Sequence, residues 1–159
     1  MNLLRIVKFA PMVAVFALLA ACGSGSGGLP KRINPPVASV QQLRVLPDGR
    51  WELELRVQNF STVPMTFGTL EAQMQVQDIN AGAIYTTVNV EIPGQNADVV
   101  NVTLSPASAA RALLQGDSAR TGFSYKLTGS FQITEPDKHF TFDRASRLDP
   151  APGVPNTFR

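Results

Sequence analysis

The stretch that decides the fold is Trp51-Glu52-Leu53-Glu54-Leu55-Arg56-Val57-Gln58, in which apolar and polar side chains alternate without a break. Such a period of two places one set of side chains on a buried face and the other on a solvent-exposed face, as in a β-strand. The run Pro47-Asp48-Gly49-Arg50 directly before it has the residue types of a tight turn. Together the two runs predict a hairpin between residues 42–46 and 51–58.

The same alternation recurs along the rest of the chain. In the predicted strand over residues 139–144, Phe140 and Phe142 point inward. The run Asn80-Ala81-Gly82 is expected to form a turn between two of the strands. The further strands are predicted over residues 70–77, 84–92, 99–104, 123–133 and 139–144.

Residues 105–116 have a different pattern, rich in alanine. Ser105 suits the cap before a helix, Pro106 suits its first position, and Gly116 suits the position just past its end. Because alanine is the best helix former, we predict one short helix here. Three of its side chains are predicted to face the core: Ala109, Ala112 and Leu113.

The sum of these elements is about seven strands and one short helix. Short turns join most neighbours, so the pairing is expected to be antiparallel. Because each strand keeps one polar face, two sheets must press their apolar faces together. The predicted fold is an all-β antiparallel β-sandwich of the immunoglobulin or fibronectin type III kind.

The first residues have the features of an export signal. Arg5 and Lys8 give the start a positive charge, and residues 9–21 are almost wholly apolar. This run of about 13 residues falls short of the roughly 20 that a membrane-spanning helix needs. A charged start followed by a short apolar run and small residues predicts a signal peptide over residues 1–21.

The motif Leu19-Ala20-Ala21-Cys22 resembles the lipobox of bacterial lipoproteins. The resemblance implies cleavage before Cys22 and acylation of that residue, the only cysteine in the chain. The membrane then becomes a partner through the lipid anchor. Gly23, following the cysteine, implies sorting to the periplasmic face of the outer membrane.

The remaining chain divides by composition. Residues 22–36 are the expected acylated cysteine and flexible tether, because the Gly/Ser run after Cys22 has no side chains to pack. The folded domain is predicted over residues 37–149. Residues 150–159 contain three prolines and are expected to form a loose C-terminal tail.

The charge balance argues against nucleic acid as a partner. The full chain has 14 Lys and Arg against 12 Asp and Glu. Arg5 and Lys8 leave with the predicted signal peptide, so the mature chain is balanced. A neutral chain of this kind gives no electrostatic reason to bind a polyanion.

Four motifs follow one another between residues 40 and 147. In this order they resemble the type 2 late embryogenesis abundant (LEA) proteins, also called the water stress and hypersensitive response (WHy) domain. Phe60 departs from the pattern, since members often have proline there. The resemblance implies a fibronectin-like sandwich without catalytic residues and a link to desiccation and stress. The motifs are Leu55-Arg56-Val57-Gln58-Asn59-Phe60-Ser61-Thr62-Val63-Pro64, the two strands around Gly82, Ile92-Pro93-Gly94, and Tyr125-Lys126-Leu127-Thr128-Gly129-Ser130-Phe131.

Catalytic and metal-binding chemistry has little support in the sequence. The single histidine, His139, lies near Glu135, Asp137 and Asp143. These side chains share one polar face if the alternation runs unbroken through Pro136, and such a face could hold a cation only loosely. We expect a solvated face instead. No catalytic, cofactor-binding or metal-binding residue is assigned, and no cofactor is expected.

The sequence therefore favours a non-enzymatic lipoprotein of the cell envelope with an LEA type 2-like domain that binds or protects under drying stress. The alternative is an accessory lipoprotein subunit of an envelope secretion or transport assembly. In that case an unpaired edge strand would accept a strand from an envelope protein partner.

Overall fold

A computed structural model describes residues 30–159 of the chain. Eight strands and two short helices are found in this part. The helices are α1 (Ser108–Gln115) and α2 (Ser118–Thr121). The strands are β1 (Val37–Val45), β2 (Trp51–Gln58), β3 (Met65–Val76), β4 (Ile79–Ile92), β5 (Ala97–Leu104), β6 (Phe123–Glu135), β7 (Asp137–Leu148) and β8 (Thr157–Phe158).

The strands form two four-stranded sheets. Sheet A has the order β5-β2-β1-β8, and sheet B has the order β4-β3-β6-β7. All the pairings within both sheets are antiparallel. The prediction of an all-β antiparallel sandwich is confirmed, with β8 and α2 in addition to the predicted elements.

The core follows from the alternation in the sequence. In β2 the side chains of Trp51, Leu53, Leu55 and Val57 are fully buried, while the residues between them stay accessible. On sheet B, Phe131 contacts Phe67 edge-on with ring centres 5.2 Å apart. Burial of such side chains removes apolar surface from water and is the main force that holds the two sheets together.

Tyr125 joins the two sheets by a buried polar contact. Its ring is part of the core, and its hydroxyl accepts a 3.0 Å hydrogen bond from the Val40 backbone N–H of sheet A. The ladder between β1 and β2 is irregular just after Val40. Burial raises the pKa of the Tyr125 hydroxyl above its usual value of 10.0, although its contact with Val40 acts in the opposite direction.

The turn predicted at Asn80-Ala81-Gly82 is wrong. The hairpin instead turns at Gln77 and Asp78, which both have positive φ angles of 47° and 64°, and Asn80 to Gly82 already belong to β4. Gly82, with φ of 145°, lies at an irregularity in the ladder between β3 and β4. The glycine at this position marks a β-bulge, where an extra residue bends the strand.

The predicted helix exists, but it begins later than expected. Helix α1 starts at Ser108 with Ala107 at its cap, so Ser105 and Pro106 lie outside it. The buried side chains are Ala110 and Leu114 rather than the three that were predicted. Among those three, Ala109 and Ala112 are exposed and Leu113 is half-buried. The buried side of the helix lies one residue later than predicted.

The prediction of a loose C-terminal tail is wrong. Residues 157–158 form β8, which pairs with Leu43 and Arg44 of β1. Phe158 is buried and lies 5.0 Å from the ring of Phe123 in sheet B. The three prolines shape the segment that leads to β8, and burial of the last aromatic ring fixes its end.

The described end of the expected tether is attached to the domain. The Thr62 backbone N–H donates to the Arg32 carbonyl oxygen at 2.9 Å, and the Asn34 N–H donates to Ser61 Oγ at 2.8 Å. Buried Asn59 anchors the same loop, because its side-chain amide donates to the Ile92 carbonyl oxygen at 2.9 Å. The N-terminal entry point is therefore fixed beside the loop between β2 and β3.

Candidate functional site

The outer face of sheet B is a broad polar surface built by the strand register. Three rows of side chains run across β4, β3, β6 and β7. Each row contains partners that lie directly opposite one another, and such partners point to the same side of a sheet. The rows are Thr87-Thr69-Gln132-His139, Tyr85-Glu71-Ser130-Thr141 and Ala83-Gln73-Thr128-Asp143.

Polar side chains on the outer face of sheet A are bonded to one another. Arg44 forms an ion pair with Glu52 at 2.5 Å. Gln42 donates to Glu54 at 3.1 Å and accepts from Arg159 at 2.8 Å. This internal pairing commits side chains of β1 and β2, while the exposed Asn101 and Thr103 of β5 make no side-chain hydrogen bond among the described residues.

The middle of the sheet B face differs from the paired side chains of β1 and β2. Within residues 30–159, no hydrogen bond or ion pair involves the side chains of Glu71, Gln73 or Ser130. Beside them Tyr85 is 70% exposed, the most exposed of the large hydrophobic residues in this part of the chain. A glutamine amide offers two donors and an acceptor, and a carboxylate offers two acceptor oxygens. The site therefore combines uncommitted polar groups with one exposed aromatic ring.

A shallow depression of about 340 Å³ lies at this point of the face. Two small residues, Ala83 and Gly129, are among its lining. Only glycine fits at position 129, since a Cβ there would collide with the Glu71 carbonyl oxygen. The lining also includes Glu71, Gln73, Tyr85, Thr128 and Ser130.

The acidic residues around His139 do not converge. Glu135 ends β6, across the turn from β7, so the alternation does not run unbroken through Pro136. The Asp137 carboxylate accepts from Gln132 Nε2 at 2.9 Å, and Asp143 pairs with Lys126 at 2.9 Å. No group of three or more potential metal ligands forms among residues 30–159.

A second concavity lies at the end of the sandwich where the chain enters. It has a volume of about 440 Å³, and its lining is mostly apolar. Ile33, Val63 and Pro64 form much of its wall, with Glu91 and Glu135 beside them. Lys31 and Thr66 also belong to its lining.

The predicted lipidation site, Cys22, lies outside the described residues, as do the predicted signal peptide and the first part of the tether. Among residues 30–159, the helices are too short to cross a bilayer.

Sequence reasoning identified the alternation on β4 but missed Tyr85 as a site residue. The signal was present, because Tyr85 occupies a solvent-facing position between the inward-facing Ile84 and Thr86. An aromatic ring at a polar position of an alternating strand is a candidate contact residue. Glu71 and Gln73 belonged to the polar face of the predicted strand, but its pairing with β6 was needed to place Ser130 beside them.

Comparisons with known proteins return similarities of fold at low sequence identity. A solution structure from Arabidopsis thaliana is 13% identical with a TM-score of 0.48, over 74% of this chain and 80% of that one. A protein assigned provisionally to the late embryogenesis abundant (LEA) group is 14% identical with a TM-score of 0.41, over 89% and 87%. A crystal structure from Archaeoglobus fulgidus is 15% identical with a TM-score of 0.43, over 76% and 98%. No protein-family model and no curated protein matches the sequence.

Proposed function

We propose that the protein is a non-enzymatic lipoprotein whose LEA type 2-like domain protects the cell envelope during drying or osmotic stress. In this proposal Cys22 carries the lipid and holds the domain at the periplasmic face of the outer membrane. The lipobox-like motif before Cys22 supports the anchor. The four motifs between residues 40 and 147 support the domain type.

The observation that carries the proposal is the uncommitted polar centre of the sheet B face. Side chains that hydrogen-bond to no neighbour are available to hydroxyl-rich molecules such as sugars. Tyr85 adds a flat apolar ring, against which the C–H face of a sugar can pack while the polar groups bind its hydroxyls. The face binds through many weak contacts, and no bond of the ligand is broken.

Survival of drying tests the proposal in a bacterium that carries this gene. Deletion is expected to lower survival, and the wild-type gene is expected to restore it. Cys22→Ser is expected not to restore survival, because the protein then lacks its lipid and leaves the membrane. The double variant Gln73→Ala/Gln75→Ala, which removes exposed amides of the sheet B face, is expected to lower survival at least tenfold.

The matched control is Gln41→Ala, which removes an exposed glutamine from β1 of sheet A. It is expected to restore survival as fully as the wild type. The proposal fails if deletion leaves survival of drying and osmotic shock unchanged. It also fails if both glutamine variants behave alike.

A second function, as an accessory subunit of an envelope secretion or transport assembly, is favoured by the edge of sheet A. Strand β5 pairs only with β2, and Val99 on it is 40% exposed. An extended segment of a partner can add to such an edge. Mild crosslinking followed by a pull-down from solubilised membranes would then capture one stoichiometric partner, and Val99→Lys would release it.

A further inference from the structure

Strand β4 is an edge of sheet B that lacks the usual protection by charge. Its 14 residues contain one charged side chain, Glu91. The opposite edge of the same sheet, β7, carries charged or titratable side chains along its length. Charged side chains are a common device that prevents one sheet edge from pairing with another. On β7 they are Asp137, Lys138, His139, Asp143, Arg144 and Arg147.

Only the middle of β4 is both regular and free to pair with a further strand. At its start, the Ala107 backbone N–H donates to the Ala81 carbonyl oxygen at 2.9 Å, and Leu104 lies against Gly82. Near its end, the ladder to β3 is irregular after Thr87, and Asn89 has a φ angle of 47°. Between these points, residues 83–87 pair with β3 in regular register.

The open segment, Ala83-Ile84-Tyr85-Thr86-Thr87, has the composition of a good pairing strand. Isoleucine, tyrosine and threonine are enriched in strands, and the segment contains no charge. The backbone groups on its outer side make no other hydrogen bond in the described part of the chain. Tyr85, at its centre, is 70% exposed.

We propose that residues 83–87 pair antiparallel with the same residues of a second copy of this chain. The two B sheets then form one continuous sheet of eight strands. A two-fold axis normal to the sheet keeps both cores on the same side. Full overlap of the five open residues places Tyr85 opposite Tyr85 of the second copy. The axis requires that opposed residues share a face, and this register satisfies that condition.

This register also suits the remaining side chains. Ala83 opposes Thr87 on the outer face, and Ile84 opposes Thr86 on the inner face. No like charges meet within the paired segment. The two Glu71 carboxylates lie on strands three spacings apart, about 14 Å, which exceeds the screening length of about 8 Å at physiological salt. The paired segment therefore carries no like-charge repulsion.

The proposal goes beyond binding by a single domain. Pairing across β4 joins the sheet B faces of the two copies into one surface, with the Tyr85 pair at its centre. A long, hydroxyl-rich ligand could then contact both copies at once, and linked contacts of this kind strengthen weak binding.

The test measures the mass of the purified full chain in detergent by analytical ultracentrifugation over a range of concentrations. The wild-type chain is expected to dimerise. Tyr85→Lys and Tyr85→Glu each place like charges opposite one another, so each alone is expected to weaken the dimer at least tenfold. A mixture of the two variants is expected to form a mixed dimer, because lysine then opposes glutamate.

The control is Val99→Lys, which adds the same charge to the exposed edge of sheet A and is expected to leave the dimer intact. Circular dichroism checks that every variant keeps its β-structure. The proposal is overturned if the wild-type chain stays monomeric, if Tyr85→Lys dimerises like the wild type, or if the mixture forms no mixed dimer. These readouts are independent of the survival of drying, so this proposal and the proposed function can fail separately.

Discussion

At the scale of the single residue, Tyr125 shows how a buried polar group joins the two sheets. Its hydroxyl contacts the backbone of Val40 across the interface. Burial raises its pKa above 10.0, because the charged form loses its hydration in the core. The unfolded chain therefore releases this proton at a lower pH than the folded chain does.

Tyr125→Phe is expected to lower the free energy of unfolding by about 1–2 kcal/mol at pH 7, because the Val40 N–H loses its contact with the hydroxyl. The wild-type hydroxyl stabilises the fold fully below about pH 10. Its contribution is lost as pH rises through the raised pKa, because only the unfolded state gains from early deprotonation. The variant should therefore lose less stability than the wild type above pH 10.

Urea denaturation at pH 7 and above pH 10 measures both effects. Tyr85→Phe is the matched control, since Tyr85 is exposed and makes no hydrogen bond among the described residues. If Tyr125→Phe and Tyr85→Phe gave the same stabilities at both pH values, the role assigned to the buried hydroxyl would be refuted.

Individual core residues could be predicted from the sequence where the alternation was regular. Trp51, Leu53 and Leu55 are fully buried as expected. The alternation did not identify Asn59, which is fully buried and bonded to the chain near Ile92. Asn59 donates to the Val63 carbonyl oxygen and accepts from the Ser61 N–H within its own loop. Its other side-chain partners, Ile92 and Pro93, lie more than 30 positions away in the sequence, and no local pattern identifies contacts at that distance.

At the scale of the element, the hairpin between β3 and β4 shows why its turn was misplaced. Glycine at Gly82 suggested a turn, while the true turn uses Gln77 and Asp78, both with positive φ angles. Two-residue hairpin turns of this kind prefer Asn-Gly, because residues with a Cβ pay a steric cost there. The pairing of the flanking strands therefore sets the position of the turn, against the local sequence preference.

Asp78→Gly is therefore expected to raise the free energy of unfolding by about 0.5 kcal/mol, the steric relief less the extra entropy of the unfolded glycine. Thermal denaturation measures the change. The control is Asp98→Gly in β5, where φ is not positive, and it is expected to destabilise by a similar amount. A loss of stability on Asp78→Gly would contradict this account of the turn.

At the scale of the whole molecule, the two-sheet architecture could be predicted because every long strand keeps one apolar face. The pairing order of the strands could not, since alternation says which face is buried but not which strand lies beside it. The candidate site depends on that order, because Glu71, Tyr85 and Ser130 are neighbours only through the pairing of β3 with β4 and β6.

The closure of the sandwich by β8 gives the last prediction. Phe158 belongs to sheet A, yet its ring packs against Phe123 of sheet B, so the C-terminal residues help to hold the sheets together. Phe158→Ala is expected to lower the free energy of unfolding in urea by about 3–5 kcal/mol, because it leaves a cavity between the sheets. Val154→Ala, at a 48% exposed position of the same segment, is expected to change it by less than about 0.5 kcal/mol. Equal, small effects of the two substitutions would mean that residues 150–159 are a loose tail after all.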